Sequence, residues 1–268
     1  NPNPNPNNPD TESYYKSQPI PKIVHQSWKS RSKIPDYAMK WISSWVKLNP
    51  TYTYVFWDDT DNDNLISKRF PLFLPAYLGM KPVERADFAR IAYLYEFGGI
   101  YADMDSECVQ NFDSLLNKSG FIGQEPLYHA KLLEHRDNQF ASNALMASRR
   151  RHPFWLFMMQ GIVLGESNGS EDDPVTKTGP RRITKVHESF YHDKNSQKAG
   201  LIEIMGEEYF MPEPAWWNID AMLRACEEAE DENDRRTMRL CEDLEKGYMV
   251  FKQRQQDFEP SPNPNPNP

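Results

Sequence analysis

No apolar run in this sequence approaches the ~20 residues that cross a bilayer. A membrane-spanning helix is therefore not expected within it. Cysteine is scarce, with Cys108, Cys226 and Cys241 the only three. That number is odd and too small for a disulfide scaffold. Cys226 and Cys241 can pair if two helices fold back on each other, but base rates favour three buried or half-buried thiols. Positive charge is also short. Thirty-one Lys and Arg stand against 39 Asp and Glu, for a net charge of -8. A surface of that sign repels phosphate backbones and excludes nucleic-acid binding as the main task. Among the few histidines, His129, His135, His152 and His187 show no mutual metal-ligand spacing and read as packing or surface residues.

What is present is ordinary for one large globular domain. Hydrophobic residues make up 38% and charged residues 26% of 268, enough to bury a sizeable core. Alternating Asn-Pro at both ends gives few backbone donors and nothing to bury. Residues 1–19 and 259–268 thus read as extended, disordered linkers of a domain from a longer protein.

Strands alternate with helices in between. Lys22–Gln26, Tyr52–Trp57, Ile100–Ala102, Phe121–Gln124 and Ile202–Met205 are predicted strands. Helices are predicted over Asp36–Leu48, with Met39, Ile42, Trp45 and Val46 on its apolar side, and from near Leu65. Another runs from Pro82 to Phe97, with Phe88, Ile91, Ala92 and Tyr95 as its apolar face and Gly98-Gly99 as its stop. Pro153–Leu164 and Pro180–His192 follow. Asn218–Lys246 reads as a charged helical hairpin broken near Asp231–Asp234. The alternation gives an α/β fold, and in such sheets ligands sit at the carboxyl ends of the strands.

Three D-x-D triplets occur. Asp59-Thr60-Asp61 and Asp61-Asn62-Asp63 overlap and resemble the start of a calcium loop. An EF-hand needs Gly sixth and Glu twelfth. Counting from Asp59, this chain has Asn64 and Phe70 there, so the calcium reading fails. A solvated helix start accounts for Asp61 and Asp63, while Asp58 and Asp59 lie closest to the strand end. Asp103-Met104-Asp105 has a different setting. In an extended segment residues two apart point the same way, so both carboxylates can meet one Mn²⁺ or Mg²⁺, with substrate phosphates completing the shell. Asp87 and Arg90, three apart, share one side of the preceding helix, distinct from its apolar face. They suit sugar hydroxyls and phosphate respectively.

Other features have plainer readings. The tryptophans suit sugar stacking, but Trp41, Trp45 and Trp155 sit at helix-core spacing. Arg149-Arg150-Arg151 reads as a solvated turn before it reads as an anion site. Asn117-Lys118-Ser119 and Asn168-Gly169-Ser170 are glycosylation sequons.

The run RADFARIAYLYEFGGIYADMD, Arg85 to Asp105, closely resembles the signature of the family 32 glycosyltransferases. These include fungal mannosyltransferases, and the clostridial toxin sugar-transferring domains carry a related motif. IPKIVHQSWKS from Ile20, YVFWDD from Tyr54, SNALMASRRRHPFW from Ser142, TGPRRIT from Thr178 and EYFMPEP from Glu208 resemble family segments in the expected order.

The resemblance implies a GT-A fold, Rossmann-like, over 20–217, with 218–258 as a charged helical extension. It implies a retaining, metal-dependent transfer of a hexose to a glycan or glycolipid acceptor. Mannose from GDP-mannose ranks first, ahead of a UDP-hexose, in a Golgi or secretory lumen. By position, Asp103 and Asp105 would serve the metal, and Asn143 would stand beside the anomeric carbon. Asp87, Arg90, Gly99 and Tyr101 would line the donor site, with His25, Gln26, Trp28, Trp57 and Asp58 on the nucleotide side. One departure stands out. Family members close the site with a His just before a Ser-Trp, whereas here the last such residues are His192 and Trp217. Glu213 and Asn218 are the nearest polar replacements. A domain that has lost donor binding and serves as a scaffold is the alternative reading.

Overall fold

Ile23–Ser27 forms the first strand, β1, and its middle residues Val24, His25 and Gln26 are all buried. The computed structural model describes residues 18–165, 173–193, 196, 198–211, 218–230 and 237–246. The break expected near Asp231–Asp234, the Asn168 sequon, Glu213, Trp217 and both Asn/Pro-rich ends lie outside the described residues. The other strands are β2 Thr53–Trp57, β3 Gly99–Ala102, β4 Gly120–Gln124, β5 Ala141–Ser148 and β6 Ile202–Met205. The helices that matter most are α1 Asp36–Leu48, α2 Asp59–Arg69, α3 Leu74–Leu78, α4 Pro82–Glu96, α5 Pro153–Val163, α6 Pro174–Lys177 and α7 Pro180–His192.

The chain divides into two compact units, one of residues 1–124 with 140–206 and the other of residues 125–139 with 207–268. In the first, six strands form one sheet in the order β2-β1-β3-β5-β4-β6. All neighbours are parallel except β5, which runs antiparallel to β3 and to β4. β5 is the strand that the sequence pattern did not show. Its Ala, Ser and Asn residues lack the β-branched signature, and the pairing with both neighbours supplies what propensity does not. The reversal has a functional consequence. The carboxyl ends of β1, β2 and β3 share one edge of the sheet. β5 begins at that edge, with Leu145 opposite Ala102 and Asn143 just beyond.

Helix α4 is buried on nearly every side, with Phe88, Ala89, Ile91, Ala92, Tyr93 and Leu94 at 2% exposure or less. The single apolar face expected from Phe88, Ile91, Ala92 and Tyr95 is thus too narrow. Asp87 and Arg90 are buried as well, because α5, with Trp155, Met158 and Met159, joins the same core. In α1 the correction runs the other way. Trp45 is buried, but Met39 and Val46 are exposed.

The Arg149-Arg150-Arg151 run is not a solvated turn. Glu96, at the end of α4, is 1% exposed, and a buried carboxylate needs compensation. Arg151 Nη2 lies 2.6 Å from it and Arg69 also pairs with it, while Arg150 Nε donates to the Glu96 carbonyl at 2.7 Å. Arg149 is buried and donates to Ala199 O. Cations at the C-terminus of a helix are favourable besides.

In the second unit, the helix Ile219–Glu230 and a helix over 237–246 pack on the turn His129–Leu133 through Leu132, Met222, Cys226 and Leu244. Cys226 and Cys241 form a disulfide there, with Cα atoms 5.7 Å apart. That overturns the expectation of three thiols. Both cysteines face one small core, and the fold-back brings them together. Cys108 remains a buried thiol. The double variant C226S/C241S is expected to lose about 3 kcal/mol from a loop of this size. Denaturant melts of wild type and variant under oxidising conditions check this. Identical midpoints would mean that the bond does not form.

Candidate active site

The site is assembled where β3 ends and α4 passes beneath it. Gly98 and Gly99 join the two with φ of +67° and +99°. A Cβ on Gly99 would come within 2.6 Å of Ile23 O, and one on Gly98 within 2.6 Å of Arg150 N. Both positions therefore require glycine. Four residues later the strand delivers Asp103.

Asp103, Met104 and Asp105 are not extended. They enter a turn in which Ser106 N donates to Asp103 O at 3.3 Å and Met104 is buried as its anchor. The expectation that both carboxylates project from an extended segment is corrected accordingly. The turn is held from several directions. Gln26 Nε2 and Ser106 Oγ both donate to Asp103 O, at 3.0 and 2.6 Å. Asp103 N donates to Ala144 O of β5 at 2.8 Å. Trp45, expected to be plain core, donates its indole N–H to Ser106 O at 2.9 Å.

Arg90 lies against the Asp103 carboxylate. Its Nη1 stands 3.1 Å from Asp103 Oδ1 and donates to Asn143 O at 2.9 Å, and its Nη2 stands 3.3 Å from Asp87 Oδ1. Tyr101 covers it, with its ring 4.7 Å from the guanidinium carbon and its hydroxyl donating to Asp103 Oδ1 at 2.6 Å. Burial alone would lower the Arg90 pKa. The Asp103 charge, followed by smaller contributions that include Asp87, holds it above its ordinary value instead, so the guanidinium stays charged. Its buried Nε–H has no hydrogen-bond partner among the described residues.

Asp87 is the other half of this pair. Asn143 Nδ2 donates to its Oδ1 at 2.8 Å, and Thr178 Oγ1 donates to its Oδ2 at 2.6 Å. Burial raises its pKa, while Arg90 and these donors oppose the rise. Asp105, by contrast, is exposed as a residue. The protein around its carboxyl and then the charge of Asp103 push it up to about 6.

Among the described residues no group of three or more His, Cys, Asp and Glu is arranged to hold a metal ion. The turn itself offers two carboxylates, those of Asp103 and Asp105. Three carboxylates against one guanidinium leave two formal negative charges, the charge that a divalent cation cancels. A hard cation that takes one or two carboxylates and completes its shell with phosphate fits this donor set.

Residues 35–122 match the family model described as the glycosyltransferase sugar-binding region containing the DXD motif. Residues 35–122 thus carry the likeness to this family's DXD region. Two fungal relatives show how far the likeness reaches. The mannosyl phosphorylinositol ceramide synthase CSH1 of Saccharomyces cerevisiae is 32% identical over 206 residues, which is 75% of this chain and 52% of that protein. The inositol phosphoceramide mannosyltransferase 2 of Schizosaccharomyces pombe is 35% identical over 145 residues, 53% of this chain and 38% of that protein. The chain thus spans about half or less of these curated relatives. The solved structure of the PaToxG glycosyltransferase superposes with a TM-score of 0.52 at 18% identity, over 81% of this chain and 83% of that one. The fold is of the GT-A type.

The remaining predicted residues divide into supports and rim. His25, Gln26 and Tyr101 are at most 1% exposed and stand behind the site rather than in it. Gln26 is fixed by Tyr54, whose hydroxyl donates to its Oε1 at 2.9 Å. Trp28, Trp57 and Asp58 keep some surface at the strand ends. Trp28 donates its indole N–H to Lys33 O at 2.8 Å. The Asp58 carboxylate is taken up in capping α2, accepting from Asp61 N at 3.0 Å, and in pairing with Arg31. Asp61 also pairs with Arg31, at 2.7 Å, and Asp63 accepts from the Tyr77 hydroxyl. The upstream acids therefore serve the helix and not a metal. Thr178 was not singled out from the sequence, though the Thr-Gly-Pro that opens α7 marks the place.

The tautomer of His25 follows from its partners. Trp57 donates its indole N–H to His25 Nδ1 at 3.1 Å, and an indole nitrogen only donates. Nδ1 must accept, so Nε2 carries the hydrogen and donates to Gly98 O at 2.9 Å. Burial lowers the pKa from 6.5 to about 4. As pH falls, the unfolded chain is protonated first. This residue's contribution is therefore complete above about 6.5 and is lost towards pH 4, up to about 3 kcal/mol. In ¹⁵N NMR the His25 ring is expected to remain the neutral Nε2–H form at pH 5.5. A titration midpoint near 6.5 would show that the ring is not held this way.

Proposed function

We propose that this chain is a retaining hexosyltransferase that uses a divalent cation, Mn²⁺ or Mg²⁺, and moves mannose from GDP-mannose to a glycolipid acceptor. The observation that carries this reading is the Arg90 guanidinium, buried between Asp87 and Asp103, the latter on the turn that also carries Asp105. The names of the two fungal relatives, both mannose transferases of inositol phosphoceramide, support mannose as the sugar and a lipid of that kind as the acceptor. A UDP-hexose is the second donor class. The Cys226–Cys241 disulfide suits an oxidising secretory lumen. Among the described residues no helix is long and apolar enough to cross a membrane.

Asp105, with Asp103 beside it, would hold the cation. When bound, the cation supplies neutralisation of the charge that develops on a departing diphosphate. The protein's own groups do the rest. Arg90 is fixed in place by two carboxylates and a backbone carbonyl, so its charge acts without reorganisation. Asn143 gives an amide hydrogen to Asp87, which turns its side-chain carbonyl away to accept from a sugar or acceptor hydroxyl. Trp28 and Trp57, with Asp58, would receive the base at the ends of β1 and β2. Positioning supplies much of the remaining rate.

Asp105→Ala is expected to lower cation-stimulated transfer by roughly 10²–10³-fold or more, with the fold intact by circular dichroism. A donor-hydrolysis screen across nucleotide sugars with Mn²⁺ measures both the preference and the loss. Wild-type turnover by the variant in EDTA would refute the metal reading. Failure of the wild-type protein to bind either GDP or UDP with Mn²⁺ in calorimetry would overturn transferase activity itself.

A further inference from the structure

The Thr178 hydroxyl is buried within the same network as the donor-site residues. We propose that Thr178 is a positioning residue for sugar transfer, acting through Asp87 to fix the orientation of Asn143 and Arg90. This rests on the transferase reading above.

Asp87 Oδ1 is shared by Asn143 Nδ2 at 2.8 Å and Arg90 Nη2 at 3.3 Å. Oδ2 receives the Thr178 hydroxyl at 2.6 Å. Thr178 is 2% exposed and Asp87 5%. A hydrogen bond to a buried carboxylate is charge-assisted and counts for more than a neutral one. The two ends of an Asn side-chain amide are nearly the same shape, so only the group facing Asn143 decides which end turns outward. Asp87 makes that decision as long as its carboxylate keeps this rotation. Thr178 is the partner that holds the rotation from the far side.

The backbone around Thr178 is built to stay still. Thr178 N donates to Pro174 O at 2.9 Å and closes α6, and Gly179 and Pro180 start α7 at once. Arg182 Nε donates to Lys177 O at 3.1 Å. Lys177 reaches Glu84, one turn before Asp87 on α4, at 3.6 Å. Thr184 Oγ1 accepts from Ala141 N at 2.9 Å, and Ala141 is the first residue of β5, two before Asn143. The TGPRRIT segment therefore grips both elements that carry the network. The Thr178 hydroxyl also lies 3.2 Å from Pro174 O, and its contact with Asp87 Oδ2, at 2.6 Å, is the shorter of the two.

Thr178→Val keeps the shape and removes the donor. Its kcat is expected to fall about 10- to 100-fold, with the donor KM changed by no more than about 3-fold. Thr178→Ser is expected to return kcat to within about 3-fold of wild type. A lower melting temperature with unchanged kcat would assign Thr178 a structural role only and overturn the proposal. So would a folded Ser variant as slow as the Val variant. One readout needs no turnover. The side-chain amide resonances of Asn143 are expected to move in Thr178→Val and to return in Thr178→Ser, and unmoved resonances overturn the proposal. If the wild-type protein transfers no sugar, the transferase reading fails, and this spectrum still judges the Thr178–Asp87–Asn143 link alone.

Discussion

Arg90 is 8% exposed, on a helix whose neighbouring residues are almost wholly out of solvent. A charge in such a place costs several kcal/mol unless partners return it. Asp87 and Asp103 are those partners, and each must be brought in by a different element. Asp87 comes from the same helix one turn earlier. Asp103 comes from the end of β3, after the chain has reversed through Gly98 and Gly99. The site can be complete only when α4 lies along the sheet at one depth and β3 ends at one residue. The network of carboxylates is thus a constraint on the fold as much as a piece of chemistry.

The far end of α4 answers the same demand. Glu96 is buried near the helix C-terminus and is met by Arg151 and Arg69, with Arg150 on its backbone carbonyl. A one-sided loss of that carboxylate would leave clustered guanidiniums against one another. Together with the glycine pair, it fixes where α4 stops and therefore where Asp87 and Arg90 stand relative to β3. Aromatic packing does the equivalent work on the nucleotide side. Trp57 stacks on Tyr93 at 4.5 Å between centroids and donates to His25, so the ends of β1 and β2 are tied to α4.

Much of this was legible from residues alone. The five predicted strands, the span of α7 and the stop at Gly98-Gly99 follow from periodicity and from local turn chemistry, which depend on near neighbours only. The failure of the calcium loop at Asn64 and Phe70 was equally local, and the structure gives Asp58 and Asp61 to a helix cap. β5 was missed because its small and polar residues gain their strand conformation from two partners, neither of them adjacent in sequence. The arginine run was read as solvated because its partner, Glu96, lies more than fifty residues away. Cys226 and Cys241 were read as thiols because only a fold-back brings them to one core.

The sequence by itself determined which groups are present at the strand ends: the DXD pair, the Asp87/Arg90 spacing and the two glycines that no side chain can replace. Those are properties of order and of local stereochemistry. Tertiary structure decided what each group does. It turned Asp103 towards Arg90 and left Asp105 to solvent, placed His25, Gln26 and Tyr101 behind the site, and brought Thr178 to Asp87 across ninety-one positions. Hydrogen bonds and ion pairs reach only about three ångströms. Roles that depend on them are therefore set by which distant segments the packing brings together.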